Sequence, residues 1–232
     1  MTMTMTLTRL PWLGLLLLVW AAPAAAENYH PGDVAVISRI ITANDAEGSL
    51  AQDGWKADRP ETWPEATPSQ NPNRPGIGPL PSSTGEREHK AYPPSDRNGV
   101  RWQDGRVQTL VLRKAGLTGT LDLTGLSGLE TLVLNFNKLS AVKGLPGLTR
   151  LKAADLSINK QPTGQGDYSG LTDLGDLSGL TNLEYLYVDV NKLTRLEGLG
   201  RLTRLKRLQA GVNQLAGLEG LGDLTNLTVL YV

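Results

Sequence analysis

The chain has 232 residues, with 23 basic and 23 acidic side chains and no cysteine. Balanced charge gives no global attraction to nucleic acid or to an acidic membrane, and the missing thiols exclude disulfides, thiolate metal ligands and a lipid-modified cysteine. The only histidines, His30 and His89, have no serine or carboxylate partner at a recognisable spacing, so the expectation is a chain that is not an enzyme and needs no cofactor and no metal.

Residues 1–26 read as a secretory signal. Arg9 is the lone charge, Leu10 to Trp20 is apolar apart from glycine and proline, and Ala24-Ala25-Ala26 offers a small-residue cleavage site. About eleven apolar positions fall short of the roughly 20 that span a bilayer, although an uncleaved membrane anchor is the competing reading. Cleavage before Glu27 leaves 22 basic against 23 acidic residues. The expected location is secreted, periplasmic or cell surface, with no membrane span afterwards.

Residues 27–58 hold a helical segment. Asp33 is the expected N-cap, and the apolar residues between Val34 and Ile41 fit one helical stripe. Residues 59–98 form a proline-rich loop, with nine prolines between Pro60 and Pro94 and too few aliphatics to fold alone. Order is expected to return in residues 99–106, where Val100, Trp102 and an Asp104-Gly105 turn predict a hairpin leading to Val107.

From there a pattern, Leu-x-x-Leu-x-Leu-x-x-Asn-x-Leu, recurs. Units begin at Val107, Leu129, Leu151, Leu183, Leu205 and Leu227, most of them 22 residues apart. A fixed period in this range marks a stacked array of one supersecondary unit. Apolar pairs such as Leu132 and Leu134 predict a short strand with one buried face. Apolar residues at every third position, as in Val142, Leu145 and Leu148, suit a 3₁₀ or extended return. Asn137, Asn159, Asn191 and Asn213 fall where each strand turns, and a buried amide can satisfy both donors and acceptors there. Ala115 takes this place in the first unit. Leu151 to Leu183 is 32 residues, so ten extra residues, centred on 160–170, form a surface loop or a binding loop.

These units resemble the leucine-rich repeat family, most closely its 22-residue phosphatase-regulator and bacterial internalin type. Gly116-Leu117-Thr118-Gly119-Thr120-Leu121-Asp122-Leu123 also resembles the first repeat of bacterial surface repeat proteins. The helix, the tryptophans and the Gly99-Val100-x-Trp102 hairpin look like a plant-type amino-terminal cap without its cysteine pair, which favours a bacterial source. Trp55, Trp63 and Trp102 are then cap core, or alternatively a sugar-stacking platform. The resemblance implies an α/β solenoid. It would be a horseshoe with short parallel strands on the concave face, 3₁₀ or extended returns on the convex face, and about five and a half repeats over residues 107–232. It also implies recognition of a protein or glycan ligand.

Residues flanking the buried pair of each strand are expected to point onto the concave sheet, in columns about 4.8 Å apart. One column reads Thr109, Thr131, Ala153, Tyr185, Arg207, Val229. The next reads Val111, Val133, Asp155, Tyr187, Gln209, Tyr231, and a third Arg113, Asn135, Ser157, Asp189, Gly211. Phe136, Ile158, Val190 and Val212 are expected to tuck beside the asparagines as structure. The candidate recognition surface is Arg113, Val133, Asn135, Asp155, Tyr185, Tyr187, Asp189, Arg207, Gln209 and Tyr231. Exposed tyrosine and arginine dominate interface hot spots, although tyrosine also favours strands for its own sake. Truncating Tyr185 and Tyr187 together is therefore expected to spare stability.

The last unit stops at Val232 in mid-strand, and two readings follow: the natural chain continues, or the open edge self-associates. The leading functional expectation is an exported, adhesin-like recognition module. The alternative is an intracellular regulatory scaffold of the phosphatase-regulator type.

Overall fold

The computed structural model describes residues 29–44, 98–162 and 168–232. The expected signal 1–26, Trp55, Trp63, His89, the proline-rich loop up to residue 97 and residues 163–167 of the insertion lie outside the described residues.

The repeat region is the expected solenoid of stacked coils with parallel strands. Its strands are β1 (Gly99–Gln103), β2 (Arg106–Val111), β3 (Thr118–Asp122), β4 (Thr131–Val133), β5 (Lys138–Lys143), β6 (Ala153–Asp155), β7 (Tyr185–Tyr187), β8 (Arg207–Gln209) and β9 (Val229–Tyr231). One sheet runs β1-β2-β4-β6-β7-β8-β9. β2 onward pair in parallel with matched repeat positions side by side: Leu110 against Leu132, then Ala154, Leu186, Leu208 and Leu230. A parallel ladder arises because each coil returns to the same end before the next strand starts. A second parallel pair, β3 with β5, lies on the return side of the first coils.

Four of the returns carry a 3₁₀ turn where leucines recur every third residue: Leu145–Gly147, Leu177–Gly179, Leu199–Arg201 and Leu221–Asp223. Three of these are entered through a left-handed glycine. At Gly144 (φ 80) a Cβ would lie 2.6 Å from the Thr124 amide nitrogen, so coil stacking itself demands glycine there. At Asp176 the side chain takes over the role, accepting from Ser178 N at 2.9 Å. Inward leucines from strand and return fill one continuous core, with Leu132, Leu156, Leu186, Leu199 and Leu208 at 1% exposure or less.

The helix α1 spans Pro31–Asn44 and sets Val36, Ile37, Ile40 and Ile41 into that core. It starts two residues before the expected N-cap. Pro31, whose missing N–H suits a first helical position, opens it, while Asp33 sits inside the first turn and is fully buried. Asp33 instead receives Arg106 Nε at 3.0 Å, Arg106 Nη2 at 2.9 Å and the Val107 amide at 2.8 Å. One carboxylate thus pins the helix to the start of the first coil. Asp104 (φ 50) and Gly105 (φ 73) make the tight turn between the antiparallel β1 and β2.

Candidate functional site

The asparagine column defines one rim of the strand face. Asn137 is buried; its Nδ2 donates to Leu112 O at 2.7 Å and to Leu134 O at 2.9 Å, and its Oδ1 accepts from Ala115 N at 2.9 Å and Leu117 N at 3.1 Å. Asn159, Asn191 and Asn213 repeat the arrangement one coil later each. Ala115 can replace asparagine in the first unit because its backbone is served by Asn137 from the next coil.

The candidate residues divide into two groups. Tyr185, Arg207, Asp189 and Arg113 are half-exposed, and Tyr231 is 41% exposed. Val133, Asn135, Asp155, Tyr187 and Gln209, expected on an open surface, are at 5% exposure or less. Part of the reason is lateral packing. Strands about 4.8 Å apart bring Val133, Ala153 and Tyr187 together as a second apolar cluster, flanked by Val111 and Tyr185. Tyr187 is therefore a core residue of the sheet face, which corrects the expectation that truncating both tyrosines spares stability.

A polar cluster adjoins it. Asp155 Oδ1 accepts from Ser157 N at 3.0 Å and Ser157 Oγ at 2.6 Å, and its Oδ2 accepts from Asn135 Nδ2 at 2.8 Å. These bonds satisfy a buried carboxylate. One coil on, Asp189 stands opposite Ser157, and its Oδ1 is buried without a hydrogen-bond donor. Burial first, and the Asp155 charge second, raise the Asp189 carboxyl to about 6. Burial likewise pushes the Tyr187 hydroxyl up to about 12, against the opposing charge and hydrogen bond of Arg207.

Sequence reasoning missed Ser157 as the partner of Asp155. It also misplaced the residues before each asparagine. Phe136 (φ 59), Ile158 (φ 55), Val190 (φ 54) and Val212 (φ 54) have left-handed backbone. They do not tuck into the fold: Phe136 is 36% and Val212 68% exposed, with Ile158 and Val190 half-buried. The left-handed turn that lets asparagine point inward throws the preceding side chain outward. Arg113 stacks over the Phe136 ring, its Cζ 5.1 Å from the centroid.

Arg195, Arg204 and Lys206 are exposed, and each has a partner. Lys206 Nζ meets Glu184 at 2.7 Å, Arg204 donates to Asn182 at 3.0 Å, and Arg195 lies 3.6 Å from Asp173. Among the described residues no group of three or more His, Cys, Asp or Glu side chains could hold a metal ion, and no helix is long and apolar enough to cross a membrane.

No family model matches the chain, and no curated protein does either. Among solved structures it is similar to an internalin from Listeria monocytogenes str. 4b F2365, with 27% identity and a TM-score of 0.32. The match covers 47% of this chain and 36% of that one, so the chain spans about a third of the internalin's length.

Proposed function

We propose that this chain is an exported recognition module that grips a protein or glycan ligand through the concave face of its repeats. The observation that carries the reading is the register of β7 against β8, which sets half-exposed Tyr185 beside half-exposed Arg207. A tyrosine and an arginine side by side offer apolar area, hydrogen-bond donors and a cation on a rigid strand platform, the composition of interface hot spots. Asp189, farther along the coil of Tyr185, and Tyr231, on the strand after Arg207, extend the patch. The fold supports a binding scaffold over a catalyst, because a one-layer sheet presents a broad surface instead of an enclosed cleft.

Export rests on Arg9, the apolar stretch that follows and the alanines before Glu27. Fractionation of tagged full-length protein tests it: accumulation outside the cytoplasm supports export, and retention in the cytoplasm sinks it. Recognition is tested by capture from extracellular matrix and from the producing cell's envelope, comparing wild type with Tyr185→Ala/Arg207→Ala. The double variant should keep its Tm within a few degrees and lose the captured ligand. Retained capture would exclude this face.

A further inference from the structure

The residues before the asparagines form a second surface, at the rim and not on the sheet. Left-handed backbone is strained for any residue with a Cβ, and most for a β-branched one; glycine and asparagine are the side chains that tolerate it. Here three of four stacked positions carry Ile158, Val190 and Val212, and the fourth Phe136. They stack directly, because each donates its backbone amide to the next coil: Phe136 to Ser157 O at 3.2 Å, Ile158 to Asp189 O at 2.9 Å, Val190 to Gly211 O at 2.9 Å. The chain thus places apolar side chains, at a conformational cost, where none is needed to fill the core. Strain that persists at aligned surface positions points to use.

A basic row runs beside the ridge. The residue after each asparagine is Lys138, Lys160 or Lys192, with Gln214 in the following coil and Lys114 at the head of the apolar row. Flanking an inward asparagine on both sides, the apolar residue and the lysine emerge on the same rim. Among the described residues no salt bridge involves Lys114, Lys138 or Lys160. Lys192 donates to Tyr168 O. The rim therefore combines an aliphatic and aromatic stripe with adjacent positive charge.

We propose that this rim docks an acidic amphipathic α-helix of a partner protein. Coils repeat about every 4.8 Å and a helix repeats its stripe every 5.4 Å or so, close enough for three or four contacts before the two fall out of step. A helix laid along the stack sets its aliphatic stripe against Phe136, Ile158 and Val190, while carboxylates flanking that stripe face Lys138 and Lys160. An extended strand alternates its side chains between opposite faces and cannot serve both rows. About ten helical residues cover the ridge at roughly 1.5 Å each.

The test uses a synthetic helical peptide with a leucine stripe flanked by glutamates, titrated against the full chain by fluorescence anisotropy. Its controls are a scrambled peptide of equal composition, a lysine-for-glutamate counterpart and polyglutamate. Saturable binding is expected for the leucine–glutamate helix alone. It should weaken at least tenfold in Ile158→Asn/Val190→Asn and in Lys138→Glu/Lys160→Glu, and be untouched by Tyr185→Ala. The asparagine pair should hold or raise the Tm, since asparagine fits left-handed backbone. A lowered Tm would show that these side chains are packing. That result would overturn the proposal, as would equal binding of any control peptide, unchanged affinity in both variants, or no saturable binding.

Discussion

Asn159 reaches back under Leu139 of the preceding coil, its Oδ1 accepting the Leu139 amide at 3.2 Å while its Nδ2 donates to Leu156 O at 2.9 Å. One side chain therefore closes two turns, and the stack is joined by amides as well as by leucines. The next asparagine, Asn191, in turn donates to Leu156 O at 2.9 Å, so the chain of bonds is continuous.

Loss of one amide should consequently be felt in two coils. Asn137→Ala removes the acceptor that serves the Ala115 and Leu117 amides and the donor to the Leu112 carbonyl inside the fold, while the Leu134 carbonyl keeps Asn159 Nδ2 at 3.3 Å. Each unsatisfied buried group costs about 1–3 kcal/mol, and some relaxation recovers part of it. The expected destabilisation is about 3–5 kcal/mol in urea unfolding. Asn213, which is only partly buried, should lose less on the same substitution. Equal small losses at both positions would show that the column is not structural.

The Asp33 anchor gives a local prediction. Asp33→Ala removes both Arg106 bonds and the acceptor of the Val107 amide. Breaking a buried pair from one side costs about 3–5 kcal/mol, here lowered because Arg106 is partly exposed. Hydrogen exchange should show faster exchange of the α1 amides, with the amides of β7 and β8 unchanged. Uniform acceleration along the chain would mean that the helix and the repeats unfold as one unit.

The two tyrosines of β7 should separate cleanly. Tyr187→Ala empties a site at 1% exposure packed with Val133 and Ala153, a truncation in the range of about 3–5 kcal/mol. Tyr185→Ala removes a half-exposed ring and should cost about 1 kcal/mol or less. Thermal melts of the two single variants decide it. Near-equal Tm values would show that Tyr187 is not packed as described.

The period, the strand positions and the asparagine ladder were legible in the sequence because each rests on local chemistry repeated at fixed spacing. Leu132 and Leu134 frame an outward residue whatever stands in the coils beside them. The outward columns were harder to read. Whether Val133, Asp155 or Gln209 meets solvent depends on neighbours 20 or more residues away, and alternation along a strand says nothing about these. The same holds for Asp33: capping rules see an acidic residue at a helix start, whereas its real partner is Arg106. The ridge was misread for a different reason, since apolar residues beside an asparagine look buried until the backbone sign of φ is known.

Asp189 makes stability depend on pH in a direction opposite to most carboxylates. Its ordinary value of 3.8 is raised to about 6 in the fold by burial and by the charge of Asp155. Between those limits the folded state binds more protons than the unfolded one, so stability falls as pH rises from about 4 to about 6 and is flat beyond. Asp189→Asn keeps the shape and removes the charge. At pH 7 it should raise stability by on the order of 1–2 kcal/mol, a figure discounted for partial exposure, and at pH 4 it should change little. Asp155→Asn is the contrasting variant. Asp155 accepts from Ser157 N, Ser157 Oγ and Asn135 Nδ2, and an amide cannot accept all three through one oxygen, so it should destabilise at both pH values. Urea unfolding of the two variants at pH 4 and pH 7 supplies the four numbers. A stabilisation by Asp189→Asn that is equal at both pH values would remove titration as its cause.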